Sequence, residues 1–224
     1  MWQPSGAQVW PPGSPMGDDG FPSLRDIGGG LGRQPRFAGG GVDTWYPVLC
    51  HTATVAALCP VRSRPYAWLH DAPEGVLGDM PKPWKTPEIE AREAHLLYRI
   101  LRANQLLCAE PHGIYMDFHH PLSDYRPASL VEKQIWMDVK TADALAVTAE
   151  AEVLGFEKAE WFVNHYFPDH DTEPKIQEAL QFAVDSTKRQ LNYCRDFLEI
   201  NHAGPWFERE VNKAIEEARN AEGK

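Results

Sequence analysis

Four side chains in this chain, His51, His70, Asp71 and Asp143, are of the types that converge as a mixed nitrogen and oxygen site for one divalent cation. His70 and Asp71 are adjacent and follow the apolar run Ala67-Trp68-Leu69. That approach implies that both polar side chains point into a partly buried place, where each needs a partner and a cation satisfies both. A hydrogen-bonded His-Asp pair ending a core helix would satisfy a lone dipeptide equally well. The neighbours change the balance. His51 lies in an apolar helical stretch, and VKTADALAVTAEAEVLG places Asp143 in another, so two imidazoles and two carboxylates on three helices can meet inside a bundle. Asp138 competes with Asp143; the two are five residues apart on different sides of a helix, and the ADAL context favours Asp143. Glu74 is four residues after His70 and shares its face. His119 and His120 in FHHP, and His165 with His170 in NHYFPDHD, have ligand-like spacing but sit in polar segments expected to be loops.

The elements that must position these residues read as helices. Val48, Leu49, Val55 and Leu58 recur near every 3.6 residues and Pro60 closes the run. A second helix starts at Pro65, carries His70 and breaks near Pro73 or Gly78. DMPKPWKTP, with three prolines in nine residues, is an irregular loop before a helix that Pro87 opens and that runs to about Leu107. Residues 109–130 read as loop, about Leu130 to Leu154 as a long helix capped by Gly155, and about 172–200 and 205–220 as two amphipathic helices. Both GGG runs in SLRDIGGGLGRQPRFAGGGVDT read as turns, since no GK[ST] follows and no strand precedes them. Without sustained period-two alternation, the expectation is an all-α helical bundle: a Gly/Pro-rich arm over 1–22, then a single domain over 23–224.

Composition bounds the partners. At 224 residues and 43% hydrophobic content, one compact domain is the expectation. With 22 Lys and Arg against 32 Asp and Glu the formal charge is −10, and no basic run offsets it, which argues against nucleic-acid polymers and anionic membranes as partners. A small phosphorylated substrate then needs a locally positive site, which a metal ion supplies. Cys50, Cys59, Cys108 and Cys194 form no CxxC pair and read as reduced, buried thiols of a cytoplasmic protein. There is no signal-peptide pattern and no apolar run of membrane length.

The order H, HD, D resembles the signature of the HD-domain metal-dependent phosphohydrolases. HDAPEGVLGDMPKPWK resembles the HDAxExxxGDxPxPxK stretch of bacterial HD-domain 5′-deoxynucleotidases and phage HD hydrolases, and VKTADAL is similar to their VKxADxL segment. SLRDIGGGLGRQPRFAGG with WYPVLCH looks like the phage branch, which includes dATP triphosphohydrolases, although CHT stands here where EHS is usual. The resemblance covers about residues 22 to 154. It implies an HD-domain fold in which His51, His70, Asp71 and Asp143 hold one divalent ion (Mn, Co, Zn, Fe or Mg) that activates water. It also implies Glu74 managing protons, and for Asp79 a catalytic or supporting role that simple loop capping rivals. Arg36 would grip phosphate, Phe37 would pack on the nucleoside, and Lys85 would add charge to the phosphate site unless it is only a solvent-exposed loop lysine. The implied activity is hydrolysis of deoxynucleotides, as monophosphates or triphosphates, by a homo-oligomer in the cytoplasm, or in a host's cytoplasm on the phage side of the resemblance. Hydrolysis of another nucleotide, such as a cyclic one, and a non-catalytic nucleotide-binding HD module are the alternatives.

Overall fold

Residues 22–39, 44–81, 84–106, 130–168, 173–197 and 202–222 are described in a computed structural model, with 194–197 described as backbone alone. Their helices are α1 (Leu24–Leu31), α2 (Val48–Leu58), α3 (Arg64–Leu69), α4 (Glu74–Leu77), α5 (Pro87–Ala103), α6 (Leu130–Val153), α7 (Ala159–Tyr166), α8 (Pro174–Phe197) and α9 (Ala203–Glu222). Among the described residues the sole β pairing is an isolated bridge between Pro35 and Pro47, so the architecture is all-α, as the missing period-two pattern implied. Residues 1–21 of the expected arm, Gly40 and Gly41 of the second GGG run, Cys108 and residues 109–129 of the expected connection, with His119 and His120, fall outside the described residues, as does His170.

α2 occupies the centre. Every residue from Val48 to Ala56 is buried, so this helix has no polar face. Its two threonines are satisfied locally, Thr52 Oγ1 donating to the Val48 carbonyl (3.0 Å) and Thr54 Oγ1 to that of Cys50 (3.1 Å). Around it one core joins Ile27 and Leu31 of α1, Leu69 of α3, Ile100 of α5, Val139 of α6 and Phe207 and Val211 of α9. The C-terminal helix therefore shares a hydrophobic core with the motif-bearing segment. Pro87 opens α5, and Gly155, at φ +74°, follows α6 in the left-handed conformation that glycine adopts without penalty.

Two expectations are corrected. Gly28, Gly29 and Gly30 do not form a turn; they are buried inside α1, whose start is fixed by a capping box between Ser23 and Asp26. A Cβ on Gly30 would collide with the carbonyl oxygen of Gly75, and one on Gly28 with the ring of Phe207. Glycine here serves close backbone approach of α1 to α4 and α9. The second correction concerns His165, which lies on the helix α7 rather than in a polar loop, stacked on Trp161 at 4.6 Å between ring centroids.

Candidate metal centre

The geometry of the site begins with His51, in the middle of α2 and fully buried. Its Nδ1 lies 2.7 Å from Oε1 of Glu150, an equally buried carboxylate on α6 that also accepts from the Tyr46 hydroxyl at 3.0 Å. A carboxylate only accepts, so Nδ1 carries the proton and Nε2 faces the other way. His70 follows the last residue of α3 and shows the same pattern: its Nδ1 donates to the Ala67 carbonyl at 2.7 Å. Both imidazoles thus present Nε2 to one point. This is the arrangement in which an outer acceptor fixes the tautomer and orientation of a ligating histidine.

Around that point the carboxylates gather. His51 Nε2 is 3.1 Å from Asp143 Oδ1 and 3.5 Å from Asp71 Oδ2, and Asp71 Oδ2 is 3.2 Å from His70 Nε2. One ligating atom each from His51, His70 and Asp143 lies within 4.8 Å of the other two. His70 Nε2 and Asp71 Oδ2 are buried atoms that make no hydrogen bond, which is what donor atoms reserved for a cation look like. The residues present therefore fit a divalent ion: His51, His70 and Asp143 could hold it, and Asp71 Oδ2 lies within 3.5 Å of both Nε2 atoms. Asp138 does not join them. It accepts from Ser63 Oγ at 2.6 Å and Gln134 Nε2 at 2.9 Å, and so pins α6 to the 3₁₀ turn Val61–Ser63.

Charge in the cluster is strongly coupled. Burial and Arg36 oppose a proton on His51, but Glu150 and Asp143 outweigh them and hold the imidazolium up to about 10. Burial would raise the Asp143 carboxyl, yet its hydrogen bond to His51 and the surrounding positive charges hold it well below the usual range. Its side chain is 42% exposed, so the fourth donor faces the mouth of the site.

Arg36 reaches the cluster because backbone hydrogen bonds from Arg36 N–H to the Tyr46 carbonyl (2.8 Å) and from Val48 N–H to that of Gln34 (2.9 Å) lay its segment along the start of α2. The guanidinium lies 3.6 Å from Glu150 Oε2, 3.3 Å from His51 Nε2 and 4.0 Å from Asp71 Oδ2. Burial disfavours its charge, but Glu150, Asp71, Glu74 and Asp143 together keep it protonated. Phe37 has φ +59°, a conformation costly for a side-chain-bearing residue, and its ring meets Phe156 edge-on at 4.9 Å.

Glu74 opens α4 and is 7% exposed. Burial, then the charge of Asp71, pushes its carboxyl up to about 8, with Asp79 adding to the rise and Arg36 and Lys85 opposing it. Asp79 is half-buried in the irregular stretch after Gly78. Lys85 is not a free loop cation. Its Nζ donates to Glu93 Oε2 at 3.0 Å and Glu74 Oε1 at 3.4 Å, so its charge goes first to two carboxylates.

Glu150, whose buried carboxylate holds His51, is the residue of the cluster that sequence reasoning passed over. It is seven residues after Asp143, two turns along the same face, and its only signal was a glutamate in the Ala-rich AVTAEAEV run, which Glu152 shares. Cys50, beside His51, is disulfide-bonded, which corrects the expectation of reduced thiols at that position; Cys59 is free and buried, its thiol pushed up to about 12 by burial. The apposition that permits a disulfide is set by tertiary packing, which residue spacing does not report. Thiol content therefore no longer argues for a reducing compartment. No described helix is long and apolar enough to cross a membrane. In comparisons with known proteins, no family model, curated protein or solved structure matches the chain.

Proposed function

We propose that this chain is a divalent-metal-dependent phosphohydrolase acting on deoxynucleotides. The observation that carries the reading is the grouping of His51, His70 and Asp143 with Asp71 beside both imidazoles, which are locked to present Nε2, and two donor atoms buried without hydrogen bonds. The deoxynucleotide part rests on the HDAPEGVLGDMPKPWK and VKTADAL motifs, and assembly as a homo-oligomer on the same resemblance. A divalent ion held there would polarise a phosphoryl oxygen and make hydroxide available near neutrality.

The chain's own groups supply the rest. Arg36 keeps a permanent positive charge beside the ligands, on the side where phosphate oxygens would lie, and its fork suits such oxygens. Glu74, whose carboxyl still holds a proton near neutrality, can give it to the leaving oxygen as the P–O bond breaks and the water oxygen joins phosphorus. Glu150 and the Ala67 carbonyl keep the two imidazoles from turning. Incubation with Mn²⁺, Co²⁺ or Mg²⁺ and a panel of deoxynucleoside mono- and triphosphates, with products separated by chromatography, tests the reading. Metal-dependent release of phosphate or triphosphate is expected, abolished together with metal binding in Asp71→Ala. Tight nucleotide binding without turnover in the wild type would overturn it.

A further inference from the structure

Next to the candidate ligands lies a cavity of about 270 Å³ whose walls include Asp71, Glu74, Lys85, Glu93, Ala94 and Leu97. Lys85 bridges two of them, taking Oε1 of Glu74 and Oε2 of Glu93. The opposite oxygens, Glu74 Oε2 and Glu93 Oε1, are buried and have no hydrogen bond. Glu74 is more than nine-tenths buried, so its free oxygen can be satisfied only by something that enters the cavity. Leaving these atoms unmatched is unfavourable, and an incoming hydroxyl, which can both donate and accept, relieves the cost at either oxygen.

The charge of the walls narrows what that hydroxyl belongs to. Among the described residues of the wall, Asp71, Glu74, Glu90 and Glu93 face a single lysine that two of them already engage. Arg36 does not line this cavity; it approaches the ligands from the Glu150 side. An anionic group is thus repelled from one side of the site and accepted on the other. The volume is near the lower end for small-molecule sites, with room for one sugar or nucleoside-sized group over the apolar Ala94 and Leu97 wall.

We propose that this cavity is the subsite for the leaving-group half of the substrate, and that the free oxygens of Glu74 and Glu93 select an uncharged group bearing hydroxyls. Glu93 is then a specificity-determining residue, and Lys85 a positioning residue that fixes both carboxylates. The name "leaving group" rests on the hydrolase reading; the hydroxyl-selective cavity rests on the geometry alone.

Equilibrium binding to the Mn²⁺-loaded wild-type chain, followed by calorimetry, tests it with neutral nucleosides as probes. Deoxyadenosine and deoxycytidine are expected to bind saturably, and orotidine, which carries a carboxylate on its base, at least tenfold more weakly. Glu93→Gln should weaken the neutral nucleosides about five- to twentyfold while leaving Mn²⁺ affinity unchanged. Leu97→Trp, which fills the cavity without touching an acid, should block them outright. Equal binding of deoxyadenosine to wild type and both variants would overturn the proposal, as would orotidine binding as tightly as deoxyadenosine. So would a second Mn²⁺ per chain that disappears in Glu93→Gln, since the cavity would then be a cation site. Nucleoside binding without any metal-dependent phosphate release would support the subsite and sink the hydrolase reading. Phosphate release without nucleoside binding would do the reverse.

Discussion

Glu150 decides how His51 behaves. A buried imidazole can rotate or exchange tautomers, and the 2.7 Å contact to Glu150 removes both freedoms. Replacing Glu150 with Gln keeps the shape and removes the charge, so the chain should still fold while Mn²⁺ affinity falls roughly 10- to 100-fold. Calorimetric titration reads that directly, and an unchanged affinity would remove Glu150 from the site. Glu74 makes a contrasting case, because its environment is unfavourable to its own charge. Its carboxyl is raised from 4.5 to about 8, so the stability it contributes is fully present below pH ~4.5 and is lost as pH rises through 8. Glu74→Gln should therefore stabilise the chain at pH 8 and above by roughly 2 kcal/mol in denaturant unfolding, an order-of-magnitude figure at ~1.4 kcal/mol per pKa unit discounted for coupling to its neighbours. The same variant should lose about 10²- to 10⁴-fold in turnover and keep its metal. A variant both less stable and fully active would contradict both parts.

Elements set these residues in place by unequal means. α2 and α6 bring His51, Asp143 and Glu150 together through ordinary apolar packing, which their sequences advertise. α4 is different: it has four residues and no side-chain cap, too little to hold a shape alone. What places Glu74 is the contact of its backbone with α1, where Gly30 meets Gly75 without intervening side chains. Gly30→Ala is a helix-favouring change on propensity alone, by about 1 kcal/mol. Here the added methyl meets a backbone carbonyl, so a loss of ~2 kcal/mol or more in thermal or chemical unfolding is expected, accompanied by weaker metal binding as α4 shifts. A neutral or stabilising result would show that α1 and α4 are not in backbone contact.

At the scale of the whole molecule the candidate ligands come from α2, the turn after α3, and α6, three segments separated by up to 92 residues. A cation that binds only the folded arrangement ties those segments together, and at a hundred times its dissociation constant adds about 2.7 kcal/mol of stability. The protonated His51 competes with the cation, and its proton is held up to about 10, so metal must displace it. Mn²⁺ should accordingly raise the unfolding temperature more at pH 8 than at pH 6, as scanning calorimetry with and without chelator would show. The opposite ordering would mean that His51 is not a ligand.

The residue types, the helical periodicities and the proline and glycine punctuation were enough to determine the all-α architecture of the described residues, the bounds of α2, α5, α6, α8 and α9 to within a few residues, and His51, His70 and Asp143 as a group that could hold a metal ion. Those features are local: burial of a periodic face and the absence of an N–H on proline act within a few residues of themselves. Other features were decided by tertiary structure. The GGG of α1 is helical because α4 and α9 approach its backbone, against the local preference of glycine. Glu150 matters because it faces a histidine 99 residues away, and Lys85 is engaged because α4 and α5 each present a carboxylate to it. Cys50 is disulfide-bonded through packing that no spacing records. Each of these depends on which surfaces meet across the chain, and a one-dimensional pattern carries that information only where both partners have a signature of their own.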